Sequence, residues 1–115
     1  MDILDYIDDL PRDGWAVAVF PGRSELRDCL EQYNRVRDPK YRTHSLHRAE
    51  YVENRATGAR MYLRTRRQII AQGRNRKIDG SKFALLHPDL QMDALTRRNL
   101  EESGITELVP YVDGL

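Results

Sequence analysis

Trp15-Ala16-Val17-Ala18-Val19-Phe20 is a continuous apolar run, followed at once by Pro21-Gly22-Arg23-Ser24 and then by Leu26, Cys29, Leu30, Tyr33 and Val36 at helical spacing. An apolar run without polar alternation suits a strand buried on both faces, as in a parallel or mixed sheet. Ser24 has the chemistry of a helix N-cap, and Glu25 falls beside the positive end of the helix dipole. A buried strand turning tightly into an amphipathic helix is half of a βαβ unit. Residues 15 to 36 therefore predict a layered α/β domain.

Working outward, the rest of the chain agrees. On the N-terminal side, Ile3, Leu4, Ile7 and Leu10 share one face of an acidic helix that Pro11 stops, and Asp13-Gly14 turns the chain. On the C-terminal side, Arg37 to Lys40 is a polar break. Ala49 to Glu53 and Ala59 to Arg64 then alternate around Asn54-Arg55-Ala56-Thr57-Gly58, a β-hairpin signal. On the second strand Ala59, Met61 and Leu63 share one face, and Arg60, Tyr62 and Arg64 the other, taken as exposed. Arg66 to Gln72 reads as a short helix closed by Gly73, and Ile78-Asp79-Gly80 as a turn. Lys82 to Leu86 is a second buried strand. A helix opened by Pro88-Asp89 follows, with Leu90, Ala94, Leu95 and Leu100 as its apolar positions, and Ile105 to Val109 is a last strand. The expectation is one α/β domain over residues 1–115, with a mixed sheet, one hairpin and helices on both faces.

The 19 basic and 18 acidic residues nearly cancel, but the charge is arranged in blocks. Residues 55 to 77 hold Arg55, Arg60, Arg64, Arg66, Arg67, Arg74, Arg76 and Lys77 and no acidic residue. Such a local field attracts polyanions even on a nearly neutral chain. The single cysteine, Cys29, excludes an internal disulfide and a cysteine-rich zinc site, and reads as a buried apolar position. The acidic N-terminus lacks a signal core, and no apolar run approaches the roughly 20 residues of a membrane helix. A cytoplasmic protein with no membrane partner is expected.

Three kinds of chemistry compete for the charged residues. Arg60, Tyr62 and Arg64, extended by Arg66, Arg67, Arg74, Arg76 and Lys77, form a candidate surface for nucleic acid or for an acidic protein, with Tyr62 as a stacking platform. Alternatively, Glu50, Glu53, Glu101 and Glu102 balance the strip as a solvated face. A magnesium nuclease would need Asp79 and Lys82 to join Glu50 or Glu53, but Asp79-Gly80 reads better as a turn. His44, His47 and His87 lack converging ligands for a metal, and no serine sits in a nucleophile elbow. The acidic N-terminal helix packs on its own domain, or else docks on a second copy to make a homodimer.

Thr57-Gly58-Ala59-Arg60-Met61-Tyr62-Leu63-Arg64-Thr65, then Gly73-Arg74, then the strand Phe83 to Leu86 form an ordered series. This order resembles large terminase subunits of phage DNA-packaging motors and related helicase-like ATPases, and Trp15 to Tyr33 is similar to their earlier strand-helix unit. The resemblance implies a shortened P-loop-NTPase-like fold. It departs where catalysis would sit. There is no Gly-x-x-x-x-Gly-Lys-Ser/Thr, so the turn leaves only Gly22, Arg23 and Ser24 as a candidate anion site. His87-Pro88-Asp89 stands where the family places an acidic pair, and Asp89 reads as an N-cap. The resemblance thus implies a non-catalytic, phage-encoded accessory protein without cofactor, binding a host or viral macromolecule through its arginines. A DNA- or RNA-binding protein is the alternative, and a nuclease or other phosphoryl-transfer enzyme comes third.

Overall fold

The computed structural model describes residues 2–36, 38–45, 50–72 and 83–111. Along these, the elements run α1 (Ile3–Asp9), β1 (Trp15–Phe20), α2 (Arg23–Val36), β2 (Tyr41–His44), β3 (Tyr51–Asn54), β4 (Arg60–Thr65), α3 (Arg66–Gln72), β5 (Phe83–Leu86), α4 (Ala94–Glu102) and β6 (Glu107–Pro110). The strands form one six-stranded mixed sheet in the order β2-β3-β4-β1-β5-β6. β1 lies inside it, parallel to β4 on one side and β5 on the other, and β6 continues the parallel set beside β5. The hairpin strand β3 runs antiparallel to β4, and β2 antiparallel to β3.

Strand alternation sends the β1 side chains into two cores. Ala16, Ala18 and Phe20 join Met61, Leu63 and Leu85 beneath Ile3, Ile7, Leu26, Cys29, Leu30 and Tyr33 of α1 and α2. Val17 and Val19 join Ala84 beneath Ile69 of α3 and Leu100 of α4. This two-sided burial is why the run is apolar throughout. Its first residue is the exception: Trp15, expected inside, is 43% exposed.

α1 settles on its own domain. Ile3 and Ile7 are fully buried in the first core, so the apolar face that a second copy would need is already covered. Asp2 and Asp5 close a capping box at its start. At its end the Asp8 carboxylate accepts hydrogen bonds from Tyr41 Oη (2.7 Å), Lys40 Nζ (3.3 Å) and Asn54 Nδ2 (3.1 Å), tying the helix to β2 and β3. The hairpin turn ends on Gly58 at φ 75°, as its glycine implies.

Several expectations need correction. Tyr41 to His44, which the sequence reading leaves without an element because Tyr-Arg-Thr-His has no apolar alternation, forms a short edge strand that needs none. α2 begins at Arg23, so Ser24 lies inside the helix and is not its cap. Pro88-Asp89 does not open the last helix. The cap is Asp93, whose side chain accepts from the Thr96 N–H at 2.7 Å, and α4 turns Thr96, Asn99 and Leu100 inward while Leu95 stays exposed. β6 runs two residues later at its start than the spacing suggested. Gly73 and the turn at 78–80 lie outside the described residues. No described helix is long and apolar enough to cross a membrane.

Candidate functional site

Registration across β1, β4, β3 and β2 aligns the chemistry of the hairpin in two rows. Trp15 stands opposite Arg60, Arg60 opposite Glu53, and Glu53 opposite Arg42. In the next row Val17 stands opposite Tyr62, Tyr62 opposite Tyr51, and Tyr51 opposite His44. Both rows share the face on which α3 and α4 bury Val17, Val19 and Ala84, and they extend away from those helices across β4, β3 and β2.

The rows interlock. His44 stacks on Tyr51 with centroids 4.7 Å apart, and Tyr62 meets Tyr51 edge-on at 5.7 Å. The Arg60 guanidinium lies 4.3 Å from the Tyr51 centroid, a cation–π contact that accounts for the burial of that ring. Arg60 Nε also donates to Glu53 Oε1 at 2.8 Å, and Arg42 pairs with the other oxygen. Burial pushes the Glu53 carboxyl up, but these two arginines outweigh it and hold it below the usual range. The hydrogen bond to Glu53 in turn holds Arg60 firmly protonated. Trp15, Tyr62, Arg60 and Glu53 line a cleft of about 210 Å³ beside Gly14 and Gly58. Its lining combines an aromatic wall that includes the partly exposed Trp15 with a cation, Arg60, held in place by Glu53.

Arg64 departs from the expected strip. It is 1% exposed, not solvated with Arg60 and Tyr62. Its Nη1 donates to the carbonyls of Leu63 (2.8 Å) and Glu50 (3.4 Å), its guanidinium lies 5.3 Å from the Tyr62 ring, and Nη2 has no hydrogen-bond partner among the described residues. Burial lowers its pKa, opposed by the Glu50 carboxylate and Tyr62. The cause is positional: near the end of β4 the long side chain reaches the carbonyl just ahead of β3, where backbone acceptors hold the guanidinium inside.

Glu50 departs too. Expected as a surface counter-charge, it is 1% exposed and faces α2, with Arg23 Nη2 2.8 Å from its Oε1. Of the candidate anion site, Arg23 is thereby committed to Glu50, while Gly22 has an ordinary backbone and no positive φ. Arg66 pairs with Asp93 at 2.7 Å and so secures the start of α4; Arg67 is exposed. Arg74, Arg76, Lys77, Asp79 and Lys82 lie outside the described residues, as does His47. His87 accepts from the Asp89 N–H through Nδ1 and packs against Phe20 and Tyr111. Among the described residues, no group of three or more His, Cys, Asp or Glu side chains is placed to hold a metal ion.

Sequence reasoning named Arg60 and Tyr62 but missed Trp15, Arg42, His44 and Tyr51 as their companions. The missing signal was register: within the hairpin, Glu53 opposite Arg60 places Tyr51 opposite Tyr62 by counting in twos, but Trp15, Arg42 and His44 depend on the separate pairings of β1 with β4 and of β2 with β3. Compared with family models, with curated proteins and with solved structures, the chain has no match.

Proposed function

We propose that this protein is a non-catalytic binding module that engages single-stranded nucleic acid over the β4–β3–β2 half of its sheet. The observation that carries the reading is the row Trp15–Arg60–Glu53–Arg42 beside Tyr62–Tyr51–His44, ending in a tryptophan that is 43% exposed on a sheet face. A soluble fold gains nothing by leaving its one tryptophan in water, whereas an exposed ring beside arginines is what an unstacked base needs. Stacking contributes about 1–3 kcal/mol per base and tolerates any sequence. The Trp15 cleft takes the base, and Arg42, Arg60 and the exposed Arg67 supply positive charge for the backbone.

The proposed binding surface lies beside the parallel set β4-β1-β5-β6 and needs none of the chemistry of hydrolysis. The nuclease alternative loses support from Glu50 and Glu53, both engaged by arginines. Nucleic acid is favoured over an acidic protein partner by the partly exposed Trp15 ring, a stacking surface that an acidic partner does not need.

The test is fluorescence anisotropy of labelled single- and double-stranded DNA and RNA, across a salt series. Single strands are expected to bind more tightly than duplexes, with affinity falling as salt rises. Trp15→Ala should weaken binding roughly ten-fold, the loss of one stacked base, and bound strands should quench the tryptophan fluorescence. Absence of binding at low salt, or a Trp15→Ala protein that binds unchanged, would overturn the proposal.

A further inference from the structure

β2 is one rim of the sheet, and among the described residues no strand lies beyond it. In its antiparallel pairing with β3, the Arg55 N–H donates to the Lys40 carbonyl at 2.8 Å. Alternation then turns the backbone groups of Arg42 and His44 toward β3, and those of Tyr41 and Thr43 outward. The Tyr41 N–H is used locally, on the Asp38 carbonyl at 3.1 Å. The Tyr41 carbonyl and both backbone groups of Thr43 have no backbone partner among the described residues. Acceptor, donor and acceptor thus stand in a row, the template for one more strand.

The opposite rim is blunted: β6 opens with Glu107 and ends on Pro110, which has no N–H to donate. β2 is flanked by space instead. A cleft of about 710 Å³ is lined by both Arg42 and Thr43, whose side chains leave opposite faces of the sheet, so it wraps the free rim. A second cleft, of about 500 Å³, shares Asn34 and Thr43 with the first and continues along α2 to Arg27. The buried Leu30 and Tyr33 give the α2 wall its apolar part. An edge strand beside a helix-walled trough is the arrangement in which an extended peptide adds to a sheet. Its main chain then supplies affinity and its alternate side chains specificity.

Charge then selects the occupant. Arg35, Arg42 and Arg55 line the larger cleft against one acid, Asp38, whose carboxylate accepts the Lys40 N–H at 2.9 Å. Arg55 is exposed and has no ion pair among the described residues. Arg35 meets Glu31 only at 3.8 Å, with both side chains largely in water, where such a pair contributes little. A second copy is a poor occupant, because it would bring the same cationic rim against this one with no added acid. A nucleic-acid strand is a poor one too, since it offers no row of N–H and C=O groups at strand spacing. A peptide strand with carboxylates at alternate positions meets both needs. Its carboxylates fall on the face that Arg42 and Arg55 share, and its other side chains fall toward Leu30 and Tyr33.

We infer that the β2 rim takes an extended acidic peptide of a partner protein as an added strand, held by main-chain hydrogen bonds to Tyr41 and Thr43 and by the charges of Arg35 and Arg55. The test is titration of the whole protein with the peptide Glu-Val-Glu-Val-Glu-Val, followed by amide chemical shifts. Saturable binding is expected, with the Thr43 amide among the largest shifts and affinity falling as salt rises. Lys-Val-Lys-Val-Lys-Val, and the acidic peptide N-methylated throughout so that it cannot donate, should each bind at least about ten-fold more weakly. Thr43→Pro removes an outward N–H that β3 does not use, a change that edge strands tolerate. It should weaken the acidic peptide by at least about ten-fold. Arg35→Glu with Arg55→Glu, at two exposed positions, provides a second variant should Thr43→Pro not fold; it should weaken the peptide similarly at low salt. The inference is overturned if the acidic peptide does not saturate, if either control peptide binds as well, or if the folded variants bind unchanged. It is overturned too if single-stranded DNA moves the Thr43 amide and the peptide does not, or if concentrating the protein alone moves it, which would make a second copy the occupant. Trp15→Ala should leave peptide binding intact, so failure here and failure of the single-strand proposal are separately visible.

Discussion

Gly58 shows how much one residue can decide at the hairpin. Its φ is 75°, and an added Cβ would come within 2.2 Å of the Asp13 Oδ1 atom. Asp13 itself is held at φ 58°, and its N–H donates to the Thr57 carbonyl at 2.9 Å, so the two turns are locked together. They form one wall of the Trp15 cleft. Gly58→Ala should therefore lose roughly 1–2 kcal/mol from the left-handed backbone alone, and more as Asp13 is displaced. Urea denaturation measures that loss. The same variant should weaken single-strand binding in proportion to the shift of Trp15, which tryptophan emission reports. At this scale the sequence was readable where a residue has one use: Gly58 as a turn glycine and Cys29 as a buried position both follow from type alone. Arg64 and Glu50 did not, because a charged residue is exposed by default and only the packing at the strand end buries it.

At the scale of elements, apolar patterning made β1, α2, the β3–β4 hairpin, α3 and β5 legible, since each needs a contiguous core face. β2 and the start of α4 were not. β2 is an edge strand held by hydrogen bonds to β3 and by the anchoring of Tyr41 to α1, neither of which leaves an apolar signature. The α4 cap was assigned to Asp89, because two aspartates compete and only the fold shows which one meets an open helix end. The Asp8 junction makes a pH prediction for these elements. Burial pushes the Asp8 carboxyl up, but hydrogen bonds from Tyr41, Lys40 and Asn54 outweigh it and hold it below the usual carboxylate range. A depressed carboxylate pKa contributes stability above its unfolded value, and that contribution is lost as pH falls through the folded value. Asp8→Asn should therefore destabilise the protein at pH 7 and lose its disadvantage progressively below about pH 4. Thermal melts of both proteins across pH 2 to 7 (about five units, spanning the carboxylate range) measure this; parallel curves would mean the junction carries no linked proton.

For the whole molecule, the arrangement of charge divides the arginines into structural and available ones, a division that the primary sequence conceals. Arg64 is inside, Arg60 and Arg42 hold Glu53, Arg23 holds Glu50, and Arg66 holds Asp93, whereas Arg67 is exposed. A strip read as one surface is thus a framework with a few outward cations, and charge reversal separates them. Arg64→Glu would set an unpaired carboxylate into a buried site that also feels the Glu50 charge, and an uncompensated buried charge costs about 3–5 kcal/mol. Since single domains have only about 5–15 kcal/mol in hand, that variant should unfold at much lower urea or not fold at all. Arg67→Glu should leave the urea midpoint nearly unchanged, within about 0.5 kcal/mol, while lowering single-strand affinity and the steepness of its salt dependence by about one phosphate contact. Chemical denaturation beside a salt series on each variant reads both effects. If Arg64→Glu proved as stable as the parent, the buried guanidinium at the end of β4 would have no structural weight. An Arg67→Glu protein with unaltered salt slope would place that cation outside the binding surface.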